Sequence, residues 1–453
     1  MMDAVTALER ALEFARQRQA APGALAGAAE FPLDVARFEA AWAEYRVRLD
    51  ALASLASPGF AAQMAAAAHP VALLGYVAAM LLNPNNHDVR HGGATLAMER
   101  EVVAELAGMF GFPASAGGHL TSGGATANLD GIWSCRQRHP RGAIAFSEDA
   151  HFVHQRICRL IGAEAIVIPC DRRGRIEVAR LEDLLRQGRV GCVVLSAGTA
   201  ALGAVDPIDE VVALRRIYSF SIHVDASYGG FFALLKDDPE APIPARAFAA
   251  IAACDSVAVD PHKHGYQPYG CGCSLFRDGA AGLFAQSSPY TDAAARSGFE
   301  CSRPGAAAGA LWLTLRCLPL CGGEGFGPIL RACLDAARRL AARLDRSESL
   351  ALHLPPELGI VAFLPRVRGG AAIGAASRAL LATAQAEGLS LSILRTDAAR
   401  LAGNGADVAA ADGPVDILRM VLMKPEQRDF VPTMVAALER LAGSAGFGAP
   451  NPL

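Results

Sequence analysis

The sequence of residues 190–225 is VGCVVLSAGTAALGAVDPIDEVVALRRIYSFSIHVD, and this stretch decides the fold class. Apolar runs at 190–195 and 221–224 lie on either side of an amphipathic segment at 208–218. Short apolar runs that alternate with helical segments are typical of a parallel sheet with helices on both faces. The stretch therefore predicts an α/β domain.

The same alternation continues on both sides of this stretch. Further apolar runs lie at 143–146, 165–169 and 256–259, and helical patterns lie at 99–110 and 180–189. In such sheets, ligands bind at the carboxyl ends of the strands. The residues that follow the predicted strands are therefore candidates for a functional site: Ser147, Thr199, Asp225 and Lys263.

The pattern changes outside this α/β region. The uncharged stretch at 51–86 includes an apolar segment too short for a membrane span of about 20 residues, which favours a buried or subunit-interface helix. A breaker cluster at 321–325 precedes a long helical pattern and two strand-like runs. We predict an N-terminal helical segment at 1–82, a large α/β domain at 83–320 and a small α+β domain at 321–453.

Composition narrows the classes of partner. The formal net charge is -3 and the pI is about 6.4, which does not indicate binding to nucleic acid or an anionic membrane. The charged, amphipathic residues 1–18 do not resemble a secretory leader, so we expect a cytoplasmic protein with 11 reduced cysteines. Cys271 and Cys273 lack a second pair, and we predict no metal site.

Lysine is scarce in this chain. Of 42 Lys and Arg residues, only three are lysine: Lys236, Lys263 and Lys424. Arginine stays protonated, whereas a buried lysine can lose its proton and form a Schiff base. Lys236 and Lys424 lie in predicted turns, and Lys263 follows the run at 256–259 in the sequence DPHKHG. Lys263 is therefore the candidate nucleophile, with an ordinary loop lysine as the alternative.

Three further features suit the same chemistry. Asp225 ends a predicted strand, the sequence TSGGATAN at 121–128 precedes a helix, and His151 follows another predicted strand. A helix cap, a common glycine-rich turn and a core histidine are the respective structural alternatives. Together with Lys263, these features supply what pyridoxal phosphate (PLP) requires: an amine, an acid for its ring nitrogen, an anion cradle and a flat group over its ring.

These residues resemble the group II PLP-dependent decarboxylases, which include aromatic amino-acid, glutamate and diaminobutyrate decarboxylases. The match is strongest to bacterial tyrosine- or aspartate-decarboxylase-like members and extends from about residue 58 to about residue 441. The resemblance implies PLP-dependent transferase fold type I, similar to aspartate aminotransferase, and a homodimer. The matching motifs are NPNN at 83–86, TSGGATAN at 121–128, AH at 150–151, GT at 198–199, HVDA at 223–226 and DPHK at 260–263.

The resemblance also implies roles for individual residues. Lys263 corresponds to the Schiff-base lysine and Asp225 to the partner of the pyridine nitrogen. His151 corresponds to the histidine that stacks on the ring and helps to position the substrate carboxylate. In the family, a mobile loop after the lysine carries a tyrosine that returns a proton to the substrate, and Tyr290 falls near the expected place of that tyrosine, with a surface loop tyrosine as the alternative.

The remaining cofactor contacts implied by the resemblance are mostly to phosphate. Gly124, Ala125 and Thr126 match the phosphate-binding turn. His262, next to the lysine, corresponds to a phosphate contact, and Thr199 to a threonine near the ring oxygen. Three features depart from the family pattern: a short alanine-rich segment at 292–298, Ser227 in place of alanine and Ala200 in place of a second threonine.

The function implied is decarboxylation of an L-amino acid to the amine and CO2. Because of the departures, an aldehyde-forming oxidative deaminase, an aminotransferase or another lyase stays open, as does a non-catalytic scaffold. The sequence does not identify the amino acid. Arg303 and His87 are candidate anion contacts, with ordinary surface or interface residues as the alternative.

Overall fold

The computed structural model describes residues 2–19, 33–87, 89–279, 298–403, 406–409 and 413–444. The helices are α1 Ala4–Gln19, α2 Val35–Asp50, α3 Pro70–Met80, α4 Val89–Met109, α5 Gly124–Arg138, α6 Val153–Leu160, α7 Val178–Arg186, α8 Ile208–Leu214, α9 Ala245–Ala250, α10 Gly305–Cys317, α11 Phe326–Asp345, α12 Gly370–Ala386, α13 Ala398–Ala402 and α14 Gln427–Ser444. The strands are β1 Gly117–Thr121, β2 Ala143–Ser147, β3 Ala165–Ile168, β4 Val190–Ser196, β5 Ser221–Asp225, β6 Ser256–Val259, β7 Gly272–Phe276, β8 Leu350–Leu352, β9 Ile360–Pro365, β10 Ser392–Asp397 and β11 Pro414–Val421.

The larger sheet has seven strands in the order β1-β7-β6-β5-β4-β2-β3. Strands β3, β2, β4, β5 and β6 are mutually parallel, while β7 runs antiparallel to both β1 and β6. The five predicted apolar runs form β2 to β6, so the mainly parallel α/β fold is confirmed.

Helices cover both faces of this sheet. Along β4, Val193 and Leu195 belong to the main apolar core, whereas Cys192 and Val194 belong to a separate core beside α5 and α6. Because alternate side chains of a strand point to opposite faces, neither face of β4 is left to solvent. This explains why the run at 190–195 is continuously apolar.

The smaller sheet has four antiparallel strands in the order β10-β11-β9-β8. Val361 and Phe363 of β9 pack into a core with α11 and α14, and the alternate residues Ala362 and Leu364 pack on the opposite face. The expected α+β character of the carboxyl-terminal region is therefore present. The division at 1–82, 83–320 and 321–453 stays a prediction.

The amino-terminal helices differ in burial. Ala7 and Ala11 of α1 are buried, and α1 packs against α3, but every residue of α2 is exposed. The apolar segment predicted to be a buried or interface helix contains α3, which has only 11 residues. Within the described ranges, no helix combines the length and the apolar character that crossing a bilayer requires.

Candidate functional site

A cavity of about 590 Å³ lies at the carboxyl ends of β4, β5 and β6. Its lining includes residues that directly follow these strands, together with the first turn of α5 and the residues that precede α6. Seven of the predicted site residues line it, namely His262 and these six: Gly124, Ala125, His151, Thr199, Asp225 and Lys263. Thr126 does not line the cavity.

Lys263 reaches the cavity from the turn after β6. Its backbone N–H donates to the Asp260 carbonyl at 2.9 Å, and its Nζ lies 3.0 Å from Asp260 Oδ2. About 20% of the Lys263 side chain is exposed, so the amine is accessible from the cavity. Asp260 holds the amine in place, and the other Asp260 oxygen, Oδ1, is buried without a hydrogen-bond partner in the described structure.

Asp225 occupies the end of β5, deep in the same cavity. Its Oδ2 lies 3.1 Å from His154 Nε2, and its Oδ1 accepts the Ser227 backbone N–H at 3.1 Å. Burial acts to raise the pKa of Asp225, but the hydrogen bond and charge of His154, with Ser227 and Lys263, bring that pKa below its ordinary value. The carboxylate therefore stays ionised.

A buried polar network joins β5 to α5. Asn128 Oδ1 lies 3.0 Å from His223 Nε2, and His223 Nδ1 lies 2.8 Å from Ser256 Oγ. Burial lowers the pKa of His223 to about 3, so the ring is neutral and Nε2–H can donate to Asn128. A Cβ atom at Gly131 would lie 2.2 Å from His223 Cε1, so this contact requires glycine on α5. The network fixes the start of α5 relative to Asp225.

The predicted anion cradle corresponds to the first turn of α5. A Cβ atom at Gly124 would lie 2.6 Å from Ser227 Oγ and 2.7 Å from Asp260 Oδ2, so only glycine fits there. The backbone N–H groups of a first helical turn lack partners within the helix and attract anions. The Thr126 hydroxyl lies 3.1 Å from Ser122 Oγ.

Two histidines border the cavity on different sides. His151 is exposed to it, and its Nδ1 accepts the Val153 N–H at 3.3 Å, so the residue also caps the turn before α6. Desolvation by its surroundings lowers the pKa of His151, which favours a neutral ring. Burial likewise lowers the pKa of His262, whose ring lies 4.9 Å from that of Tyr269.

Thr199 combines a structural contact with its place on the cavity wall. Its hydroxyl accepts the Ala204 N–H at 3.2 Å and the Leu202 N–H at 3.4 Å. The side chain therefore stabilises the turn after β4. Neither contact uses the hydroxyl hydrogen, which leaves the donor available toward the cavity.

Arg419 of β11 brings a positive charge from the smaller sheet, and sequence reasoning missed it. Its Nη2 donates to the Ala200 carbonyl at 2.6 Å and its Nε to the Ala201 carbonyl at 3.0 Å. No carboxylate of the described residues lies within ion-pair distance of this guanidinium, which lines the cavity. The available signal was a single arginine inside the apolar run DILRMVLM at 416–423.

Other candidates lie elsewhere. Arg303 is buried and pairs with Glu99 at 2.8 Å, so it is an interior residue rather than an anion contact in this cavity or the surface residue of the alternative, and His87 does not line the cavity. Ser147 Oγ lies 2.7 Å from Cys170 Sγ and does not line the cavity either. Tyr290 lies outside the described residues.

The cavity suits PLP in three respects. Lys263 supplies an amine, Asp225 a stable carboxylate, and the start of α5 a cradle that a side chain at Gly124 would fill. In addition, the buried Nδ1 of His262 has no partner among the described residues. Buried polar atoms normally find a partner, so this nitrogen fits a ligand atom.

Comparisons with known proteins agree with this arrangement. A model of the family described as the pyridoxal-dependent decarboxylase conserved domain matches residues 49–366. The "Probable L-tyrosine/L-aspartate decarboxylase" of Methanothermobacter thermautotrophicus is 30% identical over 304 residues, which cover 66% of this chain and 81% of that protein. The protein of the same name from Methanothrix thermoacetophila is 29% identical over 65% of this chain and 74% of its own length.

Solved structures share the fold at lower identity. Mouse CSAD has a TM-score of 0.77 and 21% identity, covering 97% of this chain and 98% of its own. Oryza sativa TDC with PLP and tryptamine has a TM-score of 0.76 and 19% identity, covering 98% of each chain. The architecture is thus that of PLP-dependent fold type I. Because the family model spans most of the sequence, this chain belongs to the pyridoxal-dependent decarboxylase family, and its cofactor is PLP.

Proposed function

We propose that this protein removes the α-carboxylate of an L-amino acid and releases the corresponding amine and CO2. The observation that carries the proposal is that Lys263, Asp225 and Arg419 face one cavity of about 590 Å³. An amine, an ionised acid and an uncompensated guanidinium are the groups that a PLP-dependent carboxy-lyase needs. The names of the curated relatives support the same reaction class.

Bound PLP supplies an electron sink for the pair released when the bond from Cα to the carboxylate breaks. In our proposal Lys263 Nζ would hold the cofactor covalently through its aldehyde carbon. Asp225 would pair with the protonated ring nitrogen, because its own pKa lies below its ordinary value and it would not compete for that proton. His154 orients the carboxylate through the 3.1 Å contact.

The remaining residues bind and orient. The backbone of Gly124 and Ala125, which line the cavity, would hold the phosphate together with that of Thr126 in the same helical turn, and His262 would donate from its unpartnered Nδ1. His151 would cover one face of the ring, and Thr199 would donate its hydroxyl hydrogen to the ring oxygen.

Arg419 is the residue that we assign to the substrate carboxylate. Its guanidinium is fixed by the carbonyls of Ala200 and Ala201, so it is oriented before substrate arrives. The substrate carboxylate would pair with this guanidinium, which has no carboxylate partner among the described residues. After CO2 leaves, Cα must regain a proton, and Tyr290 stays our predicted donor.

We also propose that the active form is a homodimer. Helix α2 exposes Phe38, Trp42, Tyr45 and Leu49, and the rings of Trp42 and Tyr45 stack at 5.6 Å. Such an exposed apolar face suits burial against a second copy of this chain. Light scattering should therefore give twice the mass of one chain, and Trp42→Glu should shift the protein toward a monomer. The 11 unpaired cysteines support the predicted cytoplasmic location.

The test is a panel of L-amino acids with the purified PLP-loaded protein, assayed for amine and CO2 in equal amounts. Lys263→Arg should abolish turnover, because a guanidinium cannot form the covalent link. Aldehyde with ammonia, or a keto acid, would instead establish oxidative deamination or transamination. Release of no product from any amino acid would support a non-catalytic scaffold.

A further inference from the structure

Lys424 lies in an interior position, although the sequence placed it in a turn. Only 4% of the residue is exposed. Its Nζ donates to the Phe60 carbonyl at 2.6 Å and lies 5.2 Å from the centre of the Phe60 ring. A buried ammonium is costly unless it is paired, and this one pairs with a carbonyl and an aromatic face. Lys424 therefore attaches the amino-terminal segment to the end of β11.

A second residue strengthens the same attachment. Gln427 Nε2 donates to the Pro58 carbonyl at 3.0 Å and to the Phe60 carbonyl at 3.2 Å. Gln427 Oε1 accepts the backbone N–H of Lys424 at 3.0 Å. Ala61, which follows Phe60, donates its backbone N–H to the Ser390 carbonyl, and its own carbonyl accepts the Val421 N–H, each at 2.8 Å. The chain at 58–61 is thus fixed on the smaller sheet.

The residues that follow this attachment form part of the active-site cavity. Ala62, Gln63 and Met64 line it, and we call residues 62–64 the cavity wall. Arg419 Nη1 lies 3.5 Å from the Ala62 carbonyl, so the guanidinium assigned to the substrate carboxylate contacts the wall directly. The position of the wall relative to Arg419 therefore depends on how residue 60 is held.

We propose that Lys424 is a positioning residue for substrate binding, which holds Phe60 and through it sets the cavity wall beside Arg419. The inference rests on the proposed function. It also explains why residue 424 is lysine rather than arginine, because a compact ammonium fits under one carbonyl and one ring where a planar guanidinium does not. Lys236, in contrast, pairs with the exposed Asp237 at 2.9 Å.

The surroundings of Lys424 make this attachment sensitive to pH. The titratable groups that face it are Glu426, Cys333 of α11, Tyr266 and His69, and no carboxylate of the described residues pairs with its Nζ. Burial lowers the pKa of Lys424 to about 8. Charge-assisted hydrogen bonds are roughly twice as strong as neutral ones, so loss of the proton weakens the bond to the Phe60 carbonyl as pH rises through about 8, while it also relieves the cost of burying the charge.

The first test compares Lys424→Met with Lys236→Met, which makes the same chemical change at the surface. At pH 7 we expect Lys424→Met to raise KM by about tenfold with kcat within about twofold, because substrate binding loses its wall while the reacting groups stay in place. Lys236→Met should leave both constants unchanged. A fall in kcat with unchanged KM, or no effect on either, would overturn the proposal.

The second test needs no substrate. Amide hydrogen exchange of residues 58–64 in the PLP-loaded protein should be about tenfold faster in Lys424→Met than in wild type at pH 7. Lys424→Gln, which keeps an N–H donor without the charge, should lie between the two. Unchanged exchange in this segment would refute the positioning role even where the protein decarboxylates amino acids.

The pH dependence separates positioning from general loosening of the fold. Because the pKa of Lys424 is depressed on folding, its contribution to stability grows as pH rises from about 8 toward its unfolded value. Relative to Lys424→Met, the wild-type fold should therefore gain stability over that range while its KM rises. A KM that rises equally in both proteins would contradict the assignment to Lys424.

Discussion

His154 Nε2 lies 3.1 Å from Asp225 Oδ2, and no part of the His154 side chain is exposed. Burial alone would raise the pKa of Asp225. The contact with His154 has the opposite effect and keeps that pKa below its ordinary value. A carboxyl with a depressed pKa loses its contribution as pH falls through that pKa. Removing His154 should therefore raise the pKa of Asp225, so that its carboxylate loses its charge at a higher pH.

We expect His154→Leu to weaken PLP binding by about tenfold at pH 6 and by less at pH 8, where Asp225 is ionised in either protein. Spectroscopic titration with PLP across this range measures the effect. His139→Leu is the matched control, because His139 follows the carboxyl end of α5, away from the cavity, and does not contact Asp225. Equal weakening at both pH values would show that His154 acts through packing rather than through the charge of Asp225.

Gly124 leaves no room for a side chain between Ser227 and Asp260. Gly124→Val should raise the PLP dissociation constant by at least about tenfold, since its side chain would occupy the cradle and displace the anion from the start of α5. Gly108→Ala serves as the control, because a Cβ atom there meets nothing within 4 Å. Normal PLP affinity in Gly124→Val would place the phosphate elsewhere.

Arg400 connects α13 to the turn that leads to His151. Its Nη1 lies 3.0 Å and 2.8 Å from the two carboxylate oxygens of Asp149, and only 19% and 15% of the two side chains are exposed. A double-mutant cycle with Arg400→Met and Asp149→Asn should give a coupling energy of about 1–2 kcal/mol in urea unfolding. The exposed pair Arg440 and Glu387 should give a much smaller coupling energy, because solvent screens both charges. Equal coupling energies for the two pairs would show that the pair of Arg400 and Asp149 does not fix the turn.

The cysteines should differ sharply in reactivity. Cys301, Cys317 and Cys321 are exposed, whereas seven are buried and Cys170 is intermediate. Burial raises the pKa of both Cys158 and Cys170 to about 11, so few of these thiols ionise at pH 8. Iodoacetamide at pH 8 should label the three exposed cysteines first, as peptide mass spectrometry would show. Early labelling of Cys158 would contradict the described packing.

The sequence predicted strands where apolar residues run together, and it missed those that lack such runs. Strand β1 has the sequence GGHLT and β7 has the sequence GCSLF, so glycine and polar residues conceal their pattern. Both are short and depend on pairing with each other, as in the register of Leu120 with Cys273. Strand pairing over such a separation is a tertiary effect that local pattern does not encode.

The site residues likewise include some that the sequence pattern predicts and others that it does not. Asp225 and Lys263 follow predicted strands of one sheet, so their proximity was foreseeable from topology. Arg419 belongs to the other sheet, and its place in the cavity depends on contacts with Ala200 and Ala62, which are distant in sequence. His154 was missed because a histidine on an amphipathic helix gives no sign of its partner until α6 is packed against the end of β5.

The central claim is that Lys263 is the residue that carries the cofactor. Borohydride reduction of the PLP-loaded protein, followed by proteolysis and mass spectrometry, tests it directly. We predict a single reduced pyridoxyl-phosphate adduct on the peptide that contains Lys263, with Lys236 and Lys424 unmodified. An adduct on either of those two lysines, or none after reconstitution with excess PLP, would contradict the account.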